Sequence, residues 1–532
     1  MQNEPGAGGE GDQAVSFAAD VRLHPDDDRL VVHRAPRSYV LRGLPPALRD
    51  VLCGLARDPL PLPLPLPLPG DRAAAEPASG RAARHPDLTR VLERLSHLLV
   101  RDVRAPGGGA LLRVEPLRAL PLSLPPPVAA GTPVRLSRFA LLRADDGDIV
   151  LESPRSPARL RLTGDVARAA VLRLAEPRTA EELPGLVDRP RDPAATPAVM
   201  ARLAGLLTGL GLAETAGPGG EEDDPALRQW DFHELLFAGR STPVRDTLPR
   251  FLNELPPQPA LRPYPPGSTR VPLSRPELAD LLRDDPSLTA ALESRRSWKR
   301  YGDEPVTARA LGEFLYRTAR VRGRLGERPG PYYAWDARPL FERTSRPYPG
   351  TDGIHELELY VTVRRCDGLP AGTYHYDPLG HALVPVEQPE RTGEALIRRV
   401  GRWHRAAPDL LITVTSRVRR LSWNYGAIAY ALTLQHLGVL HQTMYLVATA
   451  MGLAPCALRG VAEPDTVAGA LGLDGIREVV LGEFLLGTRP EDGSSPGGPP
   501  DASGWEPVNS ADWAHRVAAG PGGHESATGR ER

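Results

Sequence analysis

Lys299 is the one lysine in a chain of 532 residues whose other basic side chains, histidine apart, are all arginine. It stands in Arg295-Arg296-Ser297-Trp298-Lys299-Arg300, which packs four cations and a hydroxyl into six residues. A compact, flexible ammonium kept in so arginine-rich a sequence marks a place where a planar guanidinium substitutes poorly. Cations grouped with a hydroxyl donor suit a phosphate dianion. Arg295 and Lys299 lie four residues apart with Ser297 between them, so three different donors can converge. In this composition each arginine alone reads equally well as a solvated face.

Other residue types narrow the chemistry. Tyr425 and Asn424 stand just before a long apolar run. A phenol so placed can take a proton, while Asn424 can orient a water or an amide but supplies no charge. The same pair also reads as an aromatic core residue and a helix cap. His355, His375, His381 and His404 lack metal-ligand spacing, so no metal is expected. No G-x-S-x-G elbow is present, which argues against a Ser-His-Asp hydrolase. Cys53, Cys366 and Cys456 are too few and too scattered for a disulfide framework, as expected for a cytoplasmic protein. The formal net charge of −1 gives no global field toward nucleic acid or anionic membrane. The N-terminus carries no charged-then-apolar signal pattern.

The elements that must position these groups can be read along the chain. Residues 1–24 read as disordered, 59–69 as an alternating Pro/Leu polyproline-II spacer, and 491–532 as a disordered tail. A weak internal repeat relates 38–56 to 157–175 and 91–100 to 199–208, each unit reading as a strand, a helix and a second helix. This suggests two winged-helix-like modules, 25–115 and 135–215. Winged helices often bind DNA, but residues 199–212 carry only Arg202, so no nucleic-acid partner is expected. A polar break at 216–224 leads to a connecting segment, 225–270, where His233 reads as a packed core residue among aromatics. Residues 421–458 contain no Asp, Glu, Lys or Arg. That length could span a bilayer, yet Asn424, Gln435, His436, His441, Gln442 and Pro455 interrupt it. A buried core or subunit-interface helix pair is the better reading, with no membrane partner.

The string Arg295, Ser297, Lys299 resembles the start of the FMN-dependent nitroreductase fold. The run 295–322 is more specifically similar to the SagB/ThcOx-type (McbC-like) azoline dehydrogenases of ribosomal peptide natural-product biosynthesis. Arg346–Tyr360 resembles their P-S-x-G-x-x-x-x-L-E-x-Y turn and strand, residues 366–383 the hairpin that follows, and Ser422–Leu458 the core helices. Trp230–Phe237 resembles the W-x-F-H-x-L-L-F entry to the oxidase domain. The resemblance covers about residues 230–490.

The resemblance implies an α+β architecture. A nitroreductase-like FMN domain at 271–490, usually dimeric with FMN at the subunit interface, would follow two winged-helix-like peptide-clamp modules. It implies FMN held by Arg295, Ser297 and Lys299 at the phosphate, with Arg489 as a second phosphate cation. Gly350 and Thr351 would lie along one edge of the ring and Arg459 and Gly460 along the other, Gly460 removing a side chain that would block it. Two departures stand out. Gly350 replaces the usual Ser, and Asn424 replaces the Lys of a catalytic Lys-Tyr pair whose Tyr is Tyr425. Glu358 reads equally as a structural or a functional strand residue.

The expected function is oxidation of thiazoline or oxazoline rings to thiazoles or oxazoles on a precursor peptide held by its leader. Dioxygen would be the acceptor and an azoline-forming cyclodehydratase a partner. A flavin reductase or desaturase acting on another peptide modification, and a leader-binding scaffold without redox turnover, remain as alternatives.

Overall fold

The computed structural model describes residues 13–26, 29–34, 37–62, 86–117, 122–187, 192, 195–241, 256–329, 340–387, 392–401 and 407–491. They divide into two compact units, Met1–Thr247 and Leu248–Arg532.

The first unit is built on a seven-stranded antiparallel sheet. Its order is Leu60–Leu62, Gln13–Phe17, Leu99–Arg104, Ala110–Pro116, Ala158–Leu162, Asp148–Glu152 and Leu141–Asp145. Arg22–Pro25, Arg29–Arg34 and Arg37–Arg42 form a separate three-stranded sheet. The helix Pro197–Gly209 starts at Thr196, whose Oγ1 accepts from the Val199 amide at 3.3 Å. It buries Met200, Leu203, Ala204 and Leu207 in the core.

Several expectations change here. The two stretches read as separate modules are joined by one sheet, because Ala110–Pro116 pairs with Ala158–Leu162. The first halves of the repeat do correspond, as strand Arg37–Arg42 then helix Pro46–Gly54, and strand Ala158–Leu162 then helix Asp165–Arg173. The second halves diverge. Residues 199–208 stay helical, whereas after Pro86–Arg94 the chain becomes strand Leu99–Arg104, with Leu99 and Val100 buried. Strand Gln13–Phe17 and most of strand Arg22–Pro25 fall within the segment read as disordered, and Leu60–Leu62 pairs as a strand within the Pro/Leu spacer. The remainder of that spacer, residues 1–12 and the tail beyond 491 lie outside the described residues, as does His404. His233 is exposed rather than packed, because the helix Phe232–Arg240, opened by an Asp231/Glu234 capping box, turns that ring away from the core.

The second unit has three layers. Its antiparallel sheet runs Val271–Pro272, Ala382–Pro385, Gly372–Asp377, Leu357–Val363, Leu410–Arg417, Glu478–Thr488 and Leu453–Ala457. Side chains alternate across a strand, and both faces here are covered. Leu359, Val361, Leu410, Ile412 and Val414 meet the helices Ala308–Ala319 and Ala429–Ala450 through Leu311, Phe314, Leu440 and Met444. Tyr360 and Leu411 meet Thr392–Gly401 and Pro464–Ala470 on the other side. This double covering explains why Leu357–Val363 and Leu410–Arg417 are buried at every position. The uncharged run begins inside helix Val418–Tyr425, breaks at Gly426, whose φ of 54° favours glycine, and continues through helix Ala429–Ala450 into strand Leu453–Ala457. Among the described residues no helix is long and apolar enough to cross a membrane.

The segment 256–264 is clasped onto this sheet by buried polar groups. Arg417 donates to the carbonyls of Pro259 and Ala260, both at 2.9 Å, and Arg420 donates to that of Gln258 at 2.7 Å. The Ala260 amide donates to Glu342 at 2.8 Å, and Arg262 pairs with Glu478. Tyr264 Oη meets His375 Nδ1 at 2.6 Å.

Candidate functional site

The cation string leaves the helix Leu288–Ser294, capped by Ser287, and runs extended beside strand Leu453–Ala457. Trp298 anchors it. Its side chain is buried and its amide donates to the Pro455 carbonyl at 2.9 Å. Ser297 Oγ shares a 2.7 Å hydrogen bond with Tyr445 Oη, which also accepts from the Ala457 amide at 2.8 Å. The Arg295 guanidinium lies 5.2 Å from the centre of the Tyr445 ring. Lys299 is exposed and lies close enough to Cys456 to oppose the burial that pushes that thiol up.

Arg489 joins the group from the end of strand Glu478–Thr488. Its guanidinium donates to the Leu453 and Thr449 carbonyls at 3.1 and 3.0 Å, closing the C-terminal end of helix Ala429–Ala450. Burial, with Arg296 nearby, holds it below the usual arginine range. Both Arg296 and Arg489 lie against the Trp298 ring, at 4.2 and 5.5 Å. The fold therefore brings Arg295, Ser297, Lys299 and Arg489 to one end of the long helix. Arg459 and Gly460 follow strand Leu453–Ala457, and both are exposed. A Cβ at Gly460 would meet nothing within 4 Å among the described residues.

A second group forms at the turn 350–353 and the start of the long helix. Gly350 is set by close approach. A Cβ there would lie 2.8 Å from two ring atoms of His355 and 2.9 Å from the Ile354 carbonyl. The serine of the P-S-x-G pattern does not fit beside this histidine. His355 packs edge-on against Tyr348, ring centres 5.0 Å apart, and burial, then Arg346, pushes its imidazole down to about 3.

Thr351 donates its amide to His436 Nε2 at 3.1 Å, and its Oγ1 lies 2.9 Å from the same nitrogen. An amide can only donate, so Nε2 is the acceptor and the ring proton sits on Nδ1, 2.8 Å from buried Glu356. Asp352 is left-handed, with φ 52° and ψ 23°. Its carboxylate accepts from Tyr425 Oη at 2.5 Å. Asn424 is half-buried on the same short helix.

His436 and Tyr445, which anchor the two groups, are nine residues apart on one helix, about 13 Å along its axis. Asp352, Glu356 and His436 were not singled out from the sequence. The one available signal was the turn pattern itself, which calls for Gly where Asp352 stands.

Glu358 is engaged elsewhere. It pairs with Arg417 at 2.6 Å and with His375 at 3.0 Å, inside the clasp on 256–264. Burial would raise its pKa, but Arg417 and the bond from His375 outweigh that and hold the carboxyl well below the usual range. Tyr360 Oη donates to Glu478 at 3.1 Å. A surface cavity of about 600 Å³ lined by Glu304, Thr307, Arg365, Cys366 and Asp367 contains none of the candidate residues.

Comparison with known proteins agrees with this division. Residues 134–247 match the family described as cyanobactin oxidase ThcOx, and residues 292–488 match the nitroreductase family. A nitroreductase-like protein of Methanocaldococcus jannaschii is 25% identical over 166 residues, covering 31% of this chain and 75% of its own. A nitroreductase-like protein of Ralstonia eutropha is 19% identical with a TM-score of 0.30, covering 44% of this chain and 98% of that one. A chain of the E. coli microcin synthetase McbBCD complex, solved with truncated pro-MccB17 bound, is 18% identical with a TM-score of 0.29, covering 42% and 77%. One chain thus carries a cyanobactin-oxidase-like segment followed by a nitroreductase-family segment, a combination consistent with a SagB/ThcOx-type protein of the nitroreductase superfamily. FMN is the cofactor of that superfamily. The residues present fit it: Arg295, Lys299 and Ser297 offer two cations and a hydroxyl for a phosphate, and at Gly460 even an added Cβ would meet none of the described residues.

Proposed function

We propose that this chain is an FMN-dependent dehydrogenase that oxidises thiazoline or oxazoline rings to azoles on a ribosomally made precursor peptide. One observation carries the reading. A segment matching a cyanobactin oxidase and a nitroreductase-family domain occur in the same chain. Arg295, Ser297 and Lys299 hold the FMN phosphate through charge-assisted bonds. Arg489 supports that end by fixing Thr449 and Leu453 beneath it. Arg459, Gly460, Gly350 and Thr351 border the ring, and the His436–Glu356 chain keeps the Thr351 turn fixed. FMN, when bound, supplies the two-electron acceptor. Tyr425 receives the proton that leaves the ring carbon, and Asn424 orients substrate or water without charge. Dioxygen is the terminal oxidant, and a cyclodehydratase supplies the azoline. The active form is a homodimer.

The first unit binds the leader. Strand Arg37–Arg42 is bonded on one side only among the described strands, an edge to which an extended peptide can add. Purified protein should be yellow and should remove two mass units per azoline from a cyclised precursor. A yellow protein that leaves azolines intact favours the second reading, a reductase or desaturase on another modification, to which the uncharged Asn424 points. A colourless protein that still binds labelled leader favours a scaffold.

A further inference from the structure

We propose that Asp352 is the proton outlet of Tyr425, a positioning and proton-accepting carboxylate that acts through the phenol. The inference rests on the reading of Tyr425 given above. Four observations converge on it. The phenol donates to the carboxylate at 2.5 Å, in the range of charge-assisted O–H···O bonds. Asp352 holds a left-handed conformation, φ 52°, that non-glycine residues adopt at a cost, so the surrounding fold must enforce it. What enforces it is visible in the two residues before it. Thr351 is tied through His436 to buried Glu356, and Gly350 lies against His355 where no Cβ fits. Asp352 itself is exposed while Tyr425 is half-buried, so the pair leads from the protein outward.

Proton and electrons then balance. The phenol oxygen takes the proton leaving the substrate carbon as its own proton moves along the 2.5 Å bond to Asp352 Oδ2. The resulting carboxylic acid loses that proton to water. FMN, when held at the site of the proposed function, would accept the two electrons of the oxidation as hydride. Charged and titratable groups around the pair include His355 and Glu356 on its own segment, His436 on the long helix, and Arg343, which borders Gly353 from strand Leu340–Ser345 and donates to the Gly326 carbonyl. Glu356 and His436 are bonded to each other, and His355 faces Tyr348.

The test uses the full chain labelled with 3-fluorotyrosine, with the Tyr425 resonance identified by its loss in Tyr425→Phe. Its ¹⁹F shift is titrated without substrate in the parent, Asp352→Asn and Asp352→Glu. Asparagine keeps the shape and tolerates left-handed backbone, so the fold is preserved. A carboxylate that accepts the phenol's proton keeps the phenol protonated. The midpoint should therefore lie about one pH unit or more higher in the parent than in Asp352→Asn, with Asp352→Glu between them. In the azoline assay Asp352→Asn should lower kcat by about 10²-fold with KM little changed. Equal midpoints in parent and Asp352→Asn, or an unreduced kcat, would overturn the proposal. If the parent does not oxidise azolines, the proposed reaction falls, and the midpoint comparison still decides the Asp352–Tyr425 pairing.

Discussion

Replacing Gly350 with serine restores the residue that the turn pattern calls for, and the structure says this should harm the domain. The backbone is extended at this position, so serine meets no conformational strain. The penalty is steric. The new Cβ would sit 2.8 Å from Cε1 and Nδ1 of His355, well inside the 3.4 Å at which ordinary contact begins. His355 is buried against Tyr348 and has no open side to move into. Overpacking of this kind costs about 1–3 kcal/mol. For a domain of this size that lowers Tm by roughly 2–12 °C. The assay is a thermal-denaturation cycle over Gly350→Ser, His355→Ala and the double variant. Among the described residues His355 Nδ1 has no hydrogen-bond partner, so its removal breaks no bond there. The double variant should be little worse than His355→Ala alone, giving a coupling of about 1–3 kcal/mol. Additive losses, or a Gly350→Ser protein as stable as the parent, would refute the steric argument.

Lys299→Ala should weaken FMN binding by about 1.5–3 kcal/mol, the scale of a bond to a charged group, measured by flavin fluorescence on release. Full occupancy in that variant would remove Lys299 from the phosphate site. Tyr445→Phe leaves Ser297 and the Ala457 amide without their shared partner, so it should destabilise the domain by about 1–3 kcal/mol in urea unfolding and lower FMN content. Acid should destabilise the C-terminal domain from pH 6.5 downward. Burial pushes His355 down to about 3 and His441 to about 4 from an ordinary 6.5. Both are neutral when folded and gain a proton on unfolding, so each removes up to about 1.4 kcal/mol per pH unit as pH falls through that window. Glu483, which burial pushes up to about 6 from 4.5 against the pull of Arg399, opposes them between those two values but is outnumbered. His355→Asn with His441→Asn should flatten the slope, and an unchanged slope would count against both assignments.

What the sequence disclosed was local. Ser287 and Thr307 cap the helices on either side of the cation string, the kind of short-range pairing a sequence can encode. The buried strand after the Pro349 turn is legible because every residue from Leu357 to Val363 is apolar, β-branched or paired. What stayed hidden depends on distant pairing. Tyr425 reaches Asp352 across 73 residues, and His436 reaches Glu356 across 80. No periodicity encodes either contact. The resemblance offered Arg489 as a phosphate cation, but nothing in the sequence told that its guanidinium also holds the Leu453 and Thr449 carbonyls at the helix end. The two N-terminal repeats could not reveal that they share a sheet, since alternation specifies a strand's faces and not its neighbour.

The clasp on 256–264 also fixes where this enzyme can be cut. A fragment beginning at residue 292, where the nitroreductase match starts, would discard Gln258 through Tyr264. Arg417 and Arg420 would lose backbone acceptors, Glu478 its arginine, and His375 its phenol, all of them in the interior. Arg417 would keep Glu358 and Glu478 would keep Tyr360, but each buried bond left unmade costs about 1–3 kcal/mol, and several together approach a domain's whole margin. The folding unit therefore begins before Gln258, upstream of the nitroreductase match. A gene fusion or domain exchange made at the similarity boundary should yield insoluble protein, whereas one made ahead of the clasp should not.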